Sequence, residues 1–295
     1  LTSEQLVVWF KRLQARGLRE IRGRIVLDRH GFALKDSDHA NTPLPSAENP
    51  HHALPDAFTV DGGHITATLT AGPRGSLITQ LAPALGGVQL TDQLRRQKTR
   101  CEHLSDEPRL EIESSASGVK AVLRGDWSPA CPKLRVHAGT AEPGPLVAAT
   151  IRAAWLTAGG TFPADAPGDV LDADKPHAVW LPTRKRSRAP APWAVLDGAA
   201  LPDVLRDMNK WSDNIVARHL MLSLSPGFPR RPATLGAARE RLGGWLLSQG
   251  VAAGDLDIDN GSGLAITERG KPQAFTRLLA ATWQRGASAK PFIDS

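Results

Sequence analysis

Tyrosine is absent from the 295-residue sequence, and cysteine occurs only twice. Cys101 and Cys131 do not form a Cys-x-x-Cys pair, which argues against zinc, and no histidine or asparagine motif marks either one as a nucleophile. Two free buried thiols are one interpretation. A disulfide is the interpretation we favour if the protein is exported, because closing a loop of about 30 residues would contribute roughly 3–4 kcal/mol.

Long hydrophobic runs are also missing. The hydrophobic content of 41% is ordinary for a soluble globular protein, no apolar stretch is long enough to span a membrane, and no signal peptide is visible at Leu1. We therefore expect no transmembrane segment and a mature or trimmed chain. The formal net charge of +6 is compatible with an anionic partner such as cell wall or nucleic acid, but an arginine-rich composition is the simpler explanation.

Motifs for metals and cofactors are lacking as well. Gly261 and Gly263 lack the third glycine of a dinucleotide-binding loop. No helical His-x-x-x-His spacing with a carboxylate occurs, so four histidines are interpreted as surface or loop residues: His51, His52, His64 and His219. The sequence therefore predicts neither a metal nor a cofactor.

The pattern of the chain changes at residues 182–193. Residues 1–181 predict a capped helix that ends at Gly17, a strand over 21–27, and a hairpin around Asp61-Gly62-Gly63. They also predict paired strands at 110–113 and 119–123 and a helix over 146–158. Residues 194–295 are helix-rich, with predicted helices at 202–210, 213–224, 235–249 and 272–285.

Residues 182–193 are rich in proline and arginine and predict a linker. The basic run at 184–188 is compatible with phosphate binding or nuclear targeting. Prolines bracket this run and no aromatic stacking platform surrounds it, so we favour a solvated linker and predict no nucleic-acid partner.

The segment Ser212-Asp213-Asn214 is the most informative stretch. An apolar stripe of Val204, Met208, Trp211 and Ile215 has helical spacing, but on one unbroken helix Ser212 and Asn214 would point about 200° apart. All three residues of the triplet are good N-caps. We therefore predict two helices that meet at the triplet, so that both side chains can face one groove; a simple helix cap is the alternative.

The surroundings of the triplet resemble a known family. Residues 205–220 read LRDMNKWSDNIVARHL, and residues 260–264 read NGSGL. Both are similar to motifs of the D-Ala-D-Ala carboxypeptidase/endopeptidase family, the low-molecular-mass class C penicillin-binding proteins. Residues 1–6, 17–28 and 290–295 also resemble that family, so nearly the whole chain is covered.

The resemblance implies an α/β multidomain fold. Residues 194–295 would form the helical part of a penicillin-binding transpeptidase-like domain. Residues 1–181 would be an inserted, non-catalytic region of mixed α/β and β-rich subdomains. One subdomain nested within another is one arrangement that we consider for this region. It also implies a bacterial, periplasmic protein that acts on peptidoglycan stem peptides and binds β-lactams.

Two motifs that such enzymes need, Ser-x-x-Lys and Lys-Thr-Gly, are missing. Ser117 precedes Lys120 by three residues, but alternation at 119–123 predicts a strand, where the lysine cannot lie one helical turn from the serine. The nearest approach to Lys-Thr-Gly is Lys98-Thr99-Arg100, which lacks the glycine that lets substrate approach. We therefore expect an internal portion of a longer enzyme that is inactive by itself.

The resemblance assigns roles within this portion. Ser212 would relay a proton to the leaving amine, and Asn214 would bind the substrate amide. Asp213 would support the turn, Lys210 would be exposed, and Ser262 would be structural. Gly261 and Gly263 would let the backbone turn tightly.

Two positions depart from the family pattern. Asn260 stands where the family usually has aspartate, and Arg218 stands where it has glutamate. These departures make a rival function worth testing, a non-catalytic module that binds peptidoglycan or another partner.

Overall fold

The computed structural model describes residues 1–44, 49, 52–84, 88–115, 118–139, 143–163, 170–172 and 192–295. The chain divides into two compact units. The first unit comprises Leu1–Arg29, Pro45–Leu54 and Phe58–Leu196, and the second comprises His30–Leu44, Pro55–Ala57 and Asp197–Ser295. The basic run at 184–188 lies outside the described residues, so the predicted linker and domain boundaries stay predictions.

Two helices form one core of the first unit. Helix α1 (Ser3–Ala15) begins with the predicted capping box, in which Gln5 N–H donates to Thr2 Oγ1 at 3.2 Å. Its buried face packs against helix α2 (Pro143–Thr157), where Phe10 meets Trp155 edge-on at 5.5 Å between ring centroids. Both predicted helices are confirmed.

The described part of the first unit also contains ten strands. These are β1 (Ile25–Leu27), β2 (His64–Ala71), β3 (Leu77–Ala82), β4 (Gln89–Asp92), β5 (Arg95–Arg96), β6 (Arg109–Ser115), β7 (Gly118–Arg124), β8 (Asp126–Trp127), β9 (Leu134–Gly139) and β10 (Val170–Asp172).

The strands form several small sheets. They are ordered β3-β2-β9, β4-β7-β6, β5-β8 and β1-β10. The predicted pair of strands at 110–113 and 119–123 is confirmed as the antiparallel β6 and β7, with Ile112 opposite Ala121. Lys120 lies on β7 opposite Glu113, while Ser117 falls outside the described residues.

The predicted hairpin around residues 61–63 is wrong. Asp61–Gly63 forms a short 3-10 turn before β2, and β2 pairs with β3 and β9. Phe58 and Val60 instead pack into the α1–α2 core. Asp61 accepts hydrogen bonds from the Ser3 N–H at 3.1 and 3.2 Å, so the turn is tied to a helix start rather than to a neighbouring strand.

A disulfide and a buried carboxylate hold the β-rich part of the first unit. Cys101 is bonded to Cys131, with 4.7 Å between their Cα atoms. Close by in sequence, the Asp126 side chain is only 1% exposed. It accepts hydrogen bonds from Arg95 Nε at 2.7 Å, Ser105 Oγ at 2.9 Å and Gln97 Nε2 at 3.2 Å. The bond from Arg95 is the main reason that the pKa of Asp126 lies well below its usual range.

The second unit is helical. It contains α3 (Leu201–Trp211), α4 (Asn214–Ser223), α5 (Leu235–Ser248), β11 (Leu256–Asp257), β12 (Arg269–Gly270), α6 (Pro272–Trp283) and α7 (Lys290–Ile293). The four predicted helices are confirmed as α3 to α6. Residues 30–44 join this unit because Phe32 bridges Ala233 and packs with buried residues of α4 and α5.

No helix in the described ranges combines the length and the apolar character that crossing a bilayer requires.

We predict that the first unit loses stability in acid through Asp126. Its folded-state pKa is depressed, so the stabilisation is complete above the unfolded value of about 3.9 and is lost as pH falls below it. Asp126→Asn should weaken the unit at neutral pH and flatten this acid dependence in urea titrations. Asp92→Asn, which alters a half-exposed carboxylate bonded to Arg96, is the control. An unchanged acid dependence in Asp126→Asn would contradict the assignment.

Candidate functional site

The helical path breaks at Ser212. Helix α3 ends at Trp211, and Ser212 adopts a left-handed conformation with φ 52° and ψ 46°. The Asp213 N–H then donates to the Met208 carbonyl at 2.9 Å, closing the end of α3. A left-handed residue at this position is the usual device for ending a helix, and glycine is its usual occupant.

Asp213 starts the next helix. Its Oδ1 accepts hydrogen bonds from the N–H groups of Ile215 at 3.1 Å and Val216 at 3.0 Å. These are donors that have no partner within the first turn of a helix. Asn214 is therefore the first helical residue of α4, so Ser212 and Asn214 are held on either side of a capped bend.

The side chains around the bend differ in exposure. Ser212 and Lys210 are exposed, Asn214 is half-buried, and Ile215 is buried. Trp211 is 82% exposed, so its place in the predicted apolar stripe was wrong. The reason is that the helix ends at Trp211 and the chain turns before the stripe reaches Ile215.

The glycine-containing loop packs against α4. Gly261 and Gly263 have φ values of 80° and 75°, where side chains with a Cβ are strained. A Cβ on Gly261 would lie 3.1 Å from the Met221 Cβ and 3.5 Å from the Ala217 carbonyl oxygen. The structure thus brings this loop onto the helix that the Ser212–Asn214 segment begins.

Hydrogen bonds brace this loop internally. The Oδ1 of Asn260 accepts from Ser262 Oγ at 2.6 Å and from the Ser262 N–H at 3.1 Å. The Nδ2 of Asn260 donates to Thr42 Oγ1 at 2.7 Å, and both residues are buried. Ser262 is thereby bonded within the loop.

Asp259 anchors the base of the same loop. Its carboxylate accepts from Asn41 Nδ2 at 3.0 Å and Thr267 Oγ1 at 2.9 Å, and it forms an ion pair with Arg239. The pattern of the sequence did not single out Asn41, Thr42 or Arg239. The partners of Asp259 and Asn260 in the 30–44 segment lie 218 residues away in sequence, so no local pattern connects them.

Arg218 is an arginine almost without solvent contact, with 2% exposure. Its Nε donates to Ser262 Oγ at 3.4 Å. Burial lowers the pKa of this guanidinium, while the carboxylates of Asp259 and Glu268 favour its charged form. The departure from the family pattern at position 218 is therefore a buried cation between α4 and the loop.

His219 is not the surface or loop residue that we expected. It lies in α4, contacts the ring of Phe32 at 5.4 Å between centroids, and accepts a hydrogen bond from the Asp56 N–H at 3.3 Å. Burial lowers the pKa of His219 to about 4, against the opposing effects of Asp56 and Asp213. His219 belongs to helix α4 and packs against the Phe32 ring, and the spacing of histidines in the sequence does not reveal this contact.

Groups of three or more metal-ligating side chains do not occur among the residues that the structure describes.

Comparisons with known proteins assign the chain to a family. The model of the D-Ala-D-Ala carboxypeptidase 3 (S13) family matches residues 1–295. The chain belongs to this family. Among the curated proteins, none matches this sequence.

Solved structures show a similar fold. Penicillin binding protein 4 (dacB) from Haemophilus influenzae superposes with a TM-score of 0.68 at 19% identity, covering 98% of this chain and 60% of that one. The same protein in complex with a β-lactam gives a TM-score of 0.61 at 19% identity, covering 98% and 58%. This chain therefore spans about 60% of the length of the first of these solved structures.

We predict that Asp213→Ala destabilises the second unit by about 0.5–2 kcal/mol, because the first turn of α4 loses its cap. Asp213→Ser should retain most of the stability, since serine also caps. Chemical denaturation monitored by circular dichroism measures the difference. Asp207→Ala, at an exposed site on α3, is the control, and equal losses in Asp213→Ala and Asp213→Ser would refute capping as the cause.

The burial of His219 predicts a second pH dependence. The folded state disfavours the protonated ring, whereas the unfolded chain takes up the proton near pH 6.5. Stability of the second unit should therefore be constant above about pH 6.5 and decline as pH falls toward 4. His219→Gln should reduce this slope in thermal melts and leave the part that is due to His39, whose pKa is also lowered by burial. His103→Gln, at an exposed site, should leave the slope unchanged. An unchanged slope in His219→Gln would overturn this explanation.

Proposed function

We propose that this chain is the substrate-positioning portion of a serine-type D-Ala-D-Ala carboxypeptidase/endopeptidase that acts on peptidoglycan stem peptides in the periplasm. The observation that carries the proposal is the capped bend at Ser212–Asn214, with the Gly261–Gly263 loop packed against the following helix. Membership of the S13 family supplies the reaction class.

In the proposed reaction an acylating serine attacks the carbonyl carbon of the penultimate D-alanine. The amide bond between this carbonyl carbon and the nitrogen of the following residue breaks, and an ester to the serine forms. The leaving amine takes a proton. Water then hydrolyses the ester and regenerates the serine. A β-lactam would acylate the same serine, and a complex of the Haemophilus influenzae protein with a β-lactam is known.

Ser212 and Asn214 would assist this chemistry. The exposed hydroxyl of Ser212 would relay the proton to the leaving amine, and the carboxamide of Asn214 would hydrogen-bond the substrate amide. The capped bend supports this assignment because it fixes both side chains at one helix start. Ser212 combines an exposed hydroxyl with a backbone conformation that ordinarily favours glycine.

The acylating group itself is not assigned within these residues. The sequence has one lysine preceded by serine at the third position, Lys120 after Ser117, and Lys120 lies on β7 rather than on a helix. A lysine that activates serine in a Ser-x-x-Lys motif needs the helical spacing. We therefore expect residues 1–295 alone not to form a penicillin adduct.

Labelling with a fluorescent penicillin tests the proposal. The 295-residue chain and a version extended at both ends along its gene are incubated with the reagent and analysed by mass spectrometry. An adduct on the extended form only is the expected result. An adduct on the 295-residue chain would contradict our expectation that the acylating serine lies outside residues 1–295.

The absence of any adduct on the extended form would refute the enzymatic proposal. It would favour the alternative function, a non-catalytic module that binds peptidoglycan. The expected departures from the family pattern at Arg218 and Asn260 are the reason for considering this alternative. Pull-down with purified peptidoglycan sacculi would then measure that binding directly.

Variants of the extended form test the two roles. Ser212→Gly keeps the left-handed backbone but removes the hydroxyl, so acylation should slow by roughly 10²–10⁴-fold while folding stability is unchanged or slightly raised. Asn214→Ala should slow acylation by about 5- to 150-fold, equivalent to about 1–3 kcal/mol. Ser223→Ala, at the exposed end of α4, is the control. Rates equal to the control in Ser212→Gly would remove Ser212 from the mechanism.

A further inference from the structure

Asn214 shares one face of α4 with a residue one turn further along the helix. Arg218 follows Asn214 by four residues, and side chains at this spacing occupy the same face of a helix one turn apart. The Asn260–Gly263 loop lies on the adjoining surface, where a Cβ on Gly261 would meet Met221 and the Ala217 carbonyl oxygen. The loop is therefore packed one turn below the start of α4.

The Ser262 hydroxyl has a defined position in this loop. It donates to Asn260 Oδ1 at 2.6 Å and accepts from the Leu264 N–H at 3.3 Å. The backbone of the loop is held in turn by Glu268 Oε1, which accepts from the N–H groups of Asp259 at 3.0 Å and Asn260 at 3.3 Å. An acceptor fixed in this way can orient a donor that reaches it from α4.

Arg218 provides that donor. Its Nε lies 3.4 Å from Ser262 Oγ, and the side chain is 2% exposed. Burying a guanidinium is costly unless charges and hydrogen-bond acceptors surround it. The carboxylates of Asp259, which directly precedes the loop, and of Glu268, which follows it in sequence, supply favourable charge. The cation on α4 and the polar groups of the loop thus depend on each other.

We propose that Arg218 is a positioning residue that joins the Asn260–Gly263 loop to α4 below Asn214 and so fixes the orientation of the Ser212–Asn214 segment. The consequence for substrate rests on the function proposed above. The mechanical coupling between the loop and the helix start does not, and it can be measured without any substrate.

Amide hydrogen exchange on the 295-residue chain tests the coupling. Ser262→Ala removes the acceptor, and Arg218→Lys keeps the charge but removes the guanidinium Nε–H. Each should accelerate exchange at least about threefold, the size expected for one lost hydrogen bond, both in the loop and in the first turn of α4 at Ile215 and Val216. Arg241→Gln, at an exposed site on α5, should have no effect.

Two results would overturn the proposal. One is faster exchange in the loop with no change at Ile215 and Val216, which would make Ser262 a local turn residue. The other is additive effects in the double variant of Arg218 and Ser262, because partners in one contact should not lose it twice. If Arg218→Lys does not fold, Ser262→Ala alone decides by its effect on α4.

Replacement of Ser262 by threonine separates hydrogen bonding from packing. Threonine keeps the hydroxyl but adds a methyl group, whereas alanine removes the hydroxyl and fits easily. Positioning predicts that the penicillin acylation rate of the extended form falls in Ser262→Ala and is largely restored in Ser262→Thr. A packing role predicts the opposite order and would refute the proposal.

The two proposals fail in distinguishable ways. If the unaltered extended form is not labelled by penicillin, the proposed function fails and the exchange experiment still decides the coupling. If it is labelled and Ser262→Ala reacts at the same rate, the positioning role fails while the proposed function stands.

Discussion

The hydrogen bonds between the Asp213 carboxylate and the first N–H groups of α4 are the constraint on which the candidate site depends. A chain leaving one helix has unpaired carbonyls, and a chain entering the next has unpaired N–H groups. Here the Asp213 backbone N–H closes α3 while its side chain opens α4. One residue therefore serves both helices, which leaves Ser212 and Asn214 on either side of it.

The start of α4 is held from its side as well as from its end. The Asn260–Gly263 loop rests against Ala217, Arg218 and Met221. Asp259, which precedes the loop, is hydrogen-bonded to Asn41, and Asn260 is hydrogen-bonded to Thr42. A helix start that was only capped would be free to fray, since terminal turns open easily. Contact with a braced loop restricts that motion. Arg218 adds a buried cation to this contact, next to the Ser262 hydroxyl and the carboxylates of Asp259 and Glu268.

The local patterns of the sequence predicted the helices and the break at the triplet, because capping residues and apolar periodicity act over a few residues. They failed where tertiary contacts decide. Asp61-Gly62-Gly63 has the composition of a hairpin turn, yet Asp61 binds the N–H of Ser3. Nothing near Asn41 or Thr42 indicates their partners 218 residues away. The burial of Arg218 and the packing of His219 against Phe32 were likewise invisible, since composition suggests exposure for both.

The conformation of Ser212 links the backbone to the proposed chemistry. Within the described residues, twelve glycines have positive φ, and only Asp61, Arg74 and Ser212 do so with a side chain. A left-handed serine costs about 1–2 kcal/mol relative to its relaxed state, and glycine at this position would avoid that cost. The bend thus accepts strain at the residue whose hydroxyl would relay the proton in the proposed reaction. Because the strain belongs to the backbone and the reaction to the side chain, a glycine at position 212 would separate the two effects.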